Sequence, residues 1–348
     1  MCLNLTKKLL PISLLISFLV GCYEDNSNIT INMSNSSEQE ATAKESEESM
    51  EEEESQESEE EEVTENQEEE SEENEEEQND YVDDITNLLV TYWNGDQEIF
   101  AAMDLSDNSF VDLAVLEGVV TLSAGQSTFD SETHRYIIGT NLGITIVDAQ
   151  NGNILETIPN ELNMKGLEYD SASNQIFGSY WNGNQEIFAT LDLSDKSFDD
   201  LAVLEGVVTL SAGQSTFDSE THRYIIGTNL GITIVDAQNG NILETIPNEL
   251  NMKGLEYDSA SNQIFGSYWN GNQEIFATLD LSDKSFDDLA VLEGVVTLSA
   301  GQSTFDSETH RYIVGTNLGI TIVDTQNGNI LETIPNELNM KGFEFNLN

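Results

Sequence analysis

The chain has 348 residues, 66 of them Asp or Glu against 11 Lys or Arg, and a formal charge of −55 at pH 7. Nucleic acid is therefore not an expected partner, because phosphate binding needs a basic stripe that this composition lacks. Cysteine occurs only at positions 2 and 22, so residues 23–348 must fold without a disulfide or a thiolate site.

The amino terminus reads as a targeting segment. Lys7 and Lys8 precede an apolar run from Leu9 to Val20, too short to span a bilayer and typical of a secretory signal that is removed. The run ends in Leu19-Val20-Gly21-Cys22, which resembles the lipobox of bacterial lipoproteins. That resemblance implies a signal over residues 1–21, lipidation at Cys22 and a membrane held as partner through acyl chains, two of which anchor stably where one is marginal. Glu24 and Asp25 resemble the acidic export signals of some Gram-negative surface lipoproteins, which implies an outer-membrane or cell-surface address. An ordinary signal with an incidental cysteine is the competing reading.

Residues 22–80 form the next segment. From Glu38 to Glu77 it is mostly Glu with Ser, Gln and Asn, broken by Lys44. Such a run cannot bury a core and repels itself, so it reads as a disordered spacer between lipid and globe. Its contour approaches ~190 Å at about 3.3 Å per residue, with a relaxed span nearer ~40–45 Å. Capture of cations or of a basic partner is the other use such a run allows.

Residues 81–348 hold three near-identical copies of an 88-residue period, opened by Tyr92-Trp93-Asn94-Gly95, Tyr180-Trp181-Asn182-Gly183 and Tyr268-Trp269-Asn270-Gly271. This region alone has eight basic and 40 acidic residues, a charge of −32. Each period contains two related units: Phe129-Asp130-Ser131 through Gly139 aligns with Tyr169-Asp170-Ser171 through Gly178. The structural unit is thus about 44 residues. Within one unit, Leu122 to Phe129, Arg135 to Thr140, Ile144 to Asp148 and Ile154 to Ile158 have strand character, separated by Asp, Ser, Asn and Gly turn chemistry. Four short strands per unit, repeated six times, predict an all-β, six-bladed β-propeller. The first unit, starting at Tyr81-Val82-Asp83-Asp84, lacks an innermost strand, and Lys341-Gly342-Phe343-Glu344-Phe345-Asn346 repeats the missing one. The carboxy terminus is therefore expected to complete the first blade and leave no open edge.

The runs Tyr136 to Asn141, Ile144 to Asp148 and Asn153 to Pro159 resemble the YVTN group of bacterial propeller repeats. The likeness covers residues 129–168, 217–256 and 305–344 and implies a propeller on an extracytoplasmic protein. It transfers no catalytic residue.

The Tyr-Trp hairpins are expected to join the second and third strands of alternate blades, on the face that also carries the links between blades. Tyr92, Trp93, Tyr180, Trp181, Tyr268 and Trp269 are then candidate ligand-binding residues for a carbohydrate or a protein. Equally, one ring of each pair could pack between blades while the other caps the strand. His134, His222 and His310 fall in turns of the opposite face and read as exposed turn residues. Asp104-Leu105-Ser106-Asp107 and its copies at 192–195 and 280–283 offer oxygen ligands to calcium, but lack the glycine and distal glutamate of a known loop, and turn capping explains the same letters. No other metal or cofactor is implied. Near-identity of the copies works against a unique catalytic constellation, so a noncatalytic binding or adhesion module is expected. An extracytoplasmic hydrolase or dye-linked dehydrogenase using the central channel is the alternative.

Overall fold

Continuous β-branched runs such as Arg-Tyr-Ile-Ile-Gly-Thr and Gly-Ile-Thr-Ile-Val-Asp suit strands buried on both faces, the condition of a sheet sandwiched between two others. A computed structural model describes residues 87–121, 127–209, 215–247, 250–297, 303–338 and 340–346. The expected signal, Cys22, the acidic spacer, Tyr81 to Asp84 and the start of the Leu122 to Phe129 strand lie outside the described residues.

There are six four-stranded antiparallel sheets. Blade 1 consists of β1 (Asn87–Trp93), β2 (Glu98–Asp104) and β3 (Phe110–Leu116), with β24 (Met340–Asn346) as its innermost strand. Blade 2 is β4 (Ser127–Asp130), β5 (Arg135–Thr140), β6 (Gly143–Asp148) and β7 (Ile154–Ile158), and blade 3 is β8 (Lys165–Asp170), β9 (Gln175–Trp181), β10 (Glu186–Asp192) and β11 (Phe198–Val203). Blades 4, 5 and 6 begin with the innermost strands β12 (Ser215–Asp218), β16 (Lys253–Asp258) and β20 (Ser303–Asp306) and repeat the same order. The innermost strands neighbour one another in the cycle β4, β8, β12, β16, β20, β24 and back to β4, so the ring is closed. This is the six-bladed propeller that the repeat predicts.

Closure is made by the carboxy terminus. β24 pairs antiparallel with β1, matching Leu88 to Phe345 and Tyr92 to Met340. Met340, Phe343 and Phe345 are buried against Leu88, Val90 and Ile99 of blade 1 and against Ile313, Ile320 and Ile334 of blade 6. The seam therefore has the same kind of core as the junctions inside the chain, where Met164 and Leu167 pack on Ile137 and Ile176.

The six inter-blade cores alternate in character. Odd-to-even junctions are aromatic, with Phe100 against Tyr136, Phe188 against Tyr224 and Phe276 against Tyr312 at ring separations of 4.9–5.1 Å. Even-to-odd junctions are built mainly from isoleucine and other aliphatic residues, with the hairpin tyrosines Tyr92, Tyr180 and Tyr268 at their edge. Two-blade periodicity in the sequence is thus a two-junction periodicity in the core.

Candidate functional site

Two places gather polar or aromatic side chains by symmetry: the face bearing the Tyr-Trp hairpins and the axial channel.

On the first, each hairpin is locked from within. The Asn94 side-chain oxygen accepts the backbone N–H groups of Asp96 and Gln97 at 2.9 and 3.0 Å, and Gly95 takes a φ of 105°, which a side chain would resist. Asn182 with Gly183 and Asn270 with Gly271 repeat the geometry. The tight turn splits each aromatic pair, because neighbouring strand residues point to opposite sides of the sheet. Tyr92, Tyr180 and Tyr268 are only 5–6% exposed, whereas Trp93, Trp181 and Trp269 are 42–46% exposed. The tyrosine hydroxyls donate to Asp112, Asp200 and Asp288 on the outermost strands at 2.7–2.8 Å. Burial, and then that bond, raise their pKa to about 12, so they stay neutral donors. Of the six candidate residues, the tryptophans lie on the surface and the tyrosines pack into the blade junctions.

The links between blades lie on the same face. Thr121 stands between two sheets: its hydroxyl donates to Thr91 at 3.1 Å, and its N–H reaches the buried Glu98 at 3.2 Å. Val120, just before it, exchanges bonds with Asn141, donating to the side chain at 2.7 Å and accepting the backbone N–H at 3.0 Å. Val120 and the Asn141-Leu142 turn are thereby tied together on the face that carries the Trp93 hairpin, and Val120 and Leu142 are both exposed. The sequence named the aromatic hairpins but not these aliphatic companions, which come from the next blade.

The axial channel contains residues that sequence reading passed over. Its cavity, about 410 Å³ including space open to solvent, is lined by Glu168, Glu256 and Glu344 together with Ser-Thr pairs such as Ser127-Thr128. A β-bulge sets each glutamate: the register of β8 on β9 shifts between Lys165 and Glu168, and Gly166 within it has a φ of 59°. Gly254 and Gly342 repeat it at 59° and 60°. A Cβ on any of the three would lie 2.2–2.4 Å from a tyrosine oxygen, because Tyr224, Tyr312 and Tyr136 donate to the carbonyls of Gly166, Gly254 and Gly342 at 2.6–2.8 Å. Each carboxylate then accepts a serine hydroxyl of the next blade at 2.7–2.8 Å: Ser215 to Glu168, Ser303 to Glu256 and Ser127 to Glu344.

Burial pushes Glu168 up to about 7 and Glu256 to about 8 against the opposing pull of the serines, and mutual repulsion adds to the rise in Glu256. Glu344 is raised well above the usual carboxylate range for the same reasons. The signal for this ring was present in Lys-Gly-Leu-Glu, a glutamate within an innermost strand. What hid it was the bulge, which alters the side to which an alternating pattern points.

The histidines occupy the expected turns between first and second strands, on the opposite face, but they are half-buried and not exposed. Their φ of 53–55° turns the backbone so that the carbonyls accept N–H groups from Ala149, Ala237 and Thr325. The His222 Nδ1 lies 3.6 Å from Asp170 of the preceding blade, which draws the ring inward. In the Asp-Leu-Ser-Asp turns, Asp104 accepts the Ser106 N–H at 2.7 Å and Asp107 the Ser109 N–H at 2.8 Å. The Ser109 bonds also hold Asp107 below its usual pKa. These are the contacts of turn capping.

No family model matches the sequence, and no curated protein matches it. Solved structures do match in fold. TolB from Acinetobacter baumannii is 12% identical over 75% of this chain and 66% of that one, with a TM-score of 0.53, so this chain spans just under two thirds of its length. The putative TolB from Agrobacterium tumefaciens is 7% identical over 74% and 91%, with a TM-score of 0.54. A chain of the nidogen/laminin complex is 16% identical over 75% and 98%, with a TM-score of 0.56. At these identities the likeness is one of fold, and the fold is a β-propeller.

Proposed function

We propose that this protein is a noncatalytic binding or adhesion module, lipid-anchored through Cys22 at the outer membrane or cell surface and held off it by the acidic spacer. The observation that carries the binding role is the exposure of Trp93, Trp181 and Trp269 on one face, each next in sequence to a buried tyrosine that fixes its strand. Large amphipathic rings held rigidly in solvent are the usual anchors of a recognition surface, since little side-chain entropy is lost when they are covered. A propeller in the nidogen/laminin complex belongs to a protein-binding assembly, which is consistent with this use of the fold. The test is a binding screen of envelope proteins and glycans against the wild type and a variant carrying Trp93→Ala, Trp181→Ala and Trp269→Ala. Binding at least tenfold weaker in the variant is expected, and equal binding would remove the face from the account. Mass spectrometry of the mature amino terminus tests the anchor, with a diacylated Cys22 expected.

A second reading is favoured by the channel glutamates. Carboxyl groups held near neutral pKa in a polar cavity suit general acid or base chemistry, as an extracytoplasmic hydrolase would use. A hydrolase and dye-linked dehydrogenase panel discriminates: turnover abolished by Glu168→Gln would favour the enzyme, and a silent panel the binding module.

A further inference from the structure

Each repeat places an exposed tryptophan and two exposed aliphatic residues, from the adjoining link and the next blade, on the same face. Trp93, Val120 and Leu142 make the first group, assembled through the Thr121–Thr91 and Val120–Asn141 bonds. The group recurs 88 and 176 residues further on, held by Ser179 with Thr209 and by Ser267 with Thr297. Single exposed apolar residues need no explanation, but a threefold set on one face does.

Most of the polar atoms beside the tryptophans are already occupied. The Asn94, Asn182 and Asn270 side-chain oxygens are occupied by their own turns, and Asn141, Asn229 and Asn317 by the inter-blade links. Val and Leu offer a stacked sugar no hydrogen bonds, and the exposed polar side chains left in the hairpins are Asp96, Asn184 and Asn272, one in each copy. An apolar side chain is what the Trp-Val-Leu groups accommodate.

The charge of the face is equally one-sided. Asp96, Glu117, Glu161, Glu205, Glu293 and Glu337 are exposed in its hairpins and links. Among the described residues the opposing charges there are Lys165, Lys253 and Lys341, all half-buried. Lys341 is turned inward, its Nζ donating to the Thr121 carbonyl at 3.0 Å. A second copy of this chain would bring like charges together, so self-association through the face is disfavoured.

We propose that the face binds a basic, amphipathic polypeptide segment, with Lys or Arg meeting the carboxylate rim and apolar side chains entering the three Trp-Val-Leu groups. The proposal rests on the binding-module reading and narrows it from carbohydrate or protein to protein of one charge class. Three equivalent groups on one rigid ring also favour a partner that presents the segment repeatedly, since a second contact made from a bound first one gains avidity.

The test uses the full chain and three probes: an 18-residue Leu/Lys amphipathic peptide, its Leu/Glu counterpart, and a neutral hexasaccharide. The Leu/Lys peptide is expected to bind, with affinity falling as salt rises, and the Leu/Glu peptide to bind at least tenfold more weakly. The triple Trp→Ala variant and, separately, one with Leu142→Lys, Leu230→Lys and Leu318→Lys should each lose at least tenfold. All these substitutions are at exposed positions, and circular dichroism confirms that each variant folds. Equal binding of the Leu/Lys peptide by wild type and both variants would overturn the proposal, since the peptide would then be held by the acidic spacer or another surface. Tryptophan-dependent binding of the hexasaccharide without peptide binding would overturn it too, yet leave the binding module standing. No tryptophan-dependent binding of any probe or envelope component would overturn both.

Discussion

Single glycines carry much of the channel's geometry. Gly254 lies at a positive φ with the Tyr312 oxygen where a Cβ would stand, while Gly206, at a φ of 75°, has open space around it. Alanine at position 206 costs the backbone term alone, about 1 kcal/mol. At position 254 it adds a collision with a buried phenol, so a further loss of about 1–3 kcal/mol is expected. Thermal melts of Gly254→Ala and Gly206→Ala measure the difference, and equal losses would show that the tyrosine contact does not constrain the bulge. Only part of this residue-level detail was legible beforehand. Tyr-Trp was readable as a pair that a strand must split, but which ring faces inward depends on the Asp112 acceptor two strands away. The glutamate ring was unreadable from alternation because a bulge lies directly before it.

Blades and their junctions were more legible, because the repeat supplies six examples of one pattern. The closing strand in particular follows from matching Lys341 to Asn346 with Lys165 to Asp170. Its weight is calculable: burying Met340, Phe343 and Phe345 contributes roughly 1.5–3 kcal/mol for each side chain. Their sum is comparable to the net stability of a whole domain, about 5–15 kcal/mol. A chain ending at Asn339 is therefore expected to lose cooperative unfolding by circular dichroism and to elute as soluble aggregates, its β1 edge left unpaired. An unchanged melt of a monomeric truncated chain would contradict the account of closure. Less legible was the contribution of the next blade to the hairpin face, since Val120 and Leu142 are tied to each other only across a junction.

At the scale of the molecule, two sets of carboxyl groups oppose each other in pH dependence. Glu168, Glu256 and Glu344 have folded pKa values above the unfolded one, so the folded state holds the protons more tightly. The contribution of Glu168 and Glu256 is full below about pH 4.5 and is lost as pH rises through about 7 and about 8, and Glu344, also raised, acts in the same direction. Asp130, Asp218 and Asp306 run the other way. Burial alone would raise them, but Thr133, Thr221 and Thr309 and the guanidinium groups of Arg135, Arg223 and Arg311 outweigh it and hold them below the usual value. That contribution is present above about pH 3.8 and is lost as pH falls through the lowered folded value. Self-repulsion of the acidic surface also grows with pH. Stability is thus expected to peak near pH 4–5 and to fall by pH 8, read as the melting temperature across the range. Replacing the three glutamates with glutamine should flatten the alkaline limb and leave the acid limb in place.

The chain has three tryptophans in all, at positions 93, 181 and 269, and all three belong to the proposed binding face. Selectively excited tryptophan fluorescence therefore reports on that face alone. Acrylamide quenching of the free protein and of the protein saturated with the Leu/Lys peptide is the most direct measurement. The account predicts red-shifted, readily quenched emission in the free protein, and a blue shift with at least twofold protection on binding. A saturated complex whose emission and quenching match those of the free protein would contradict it.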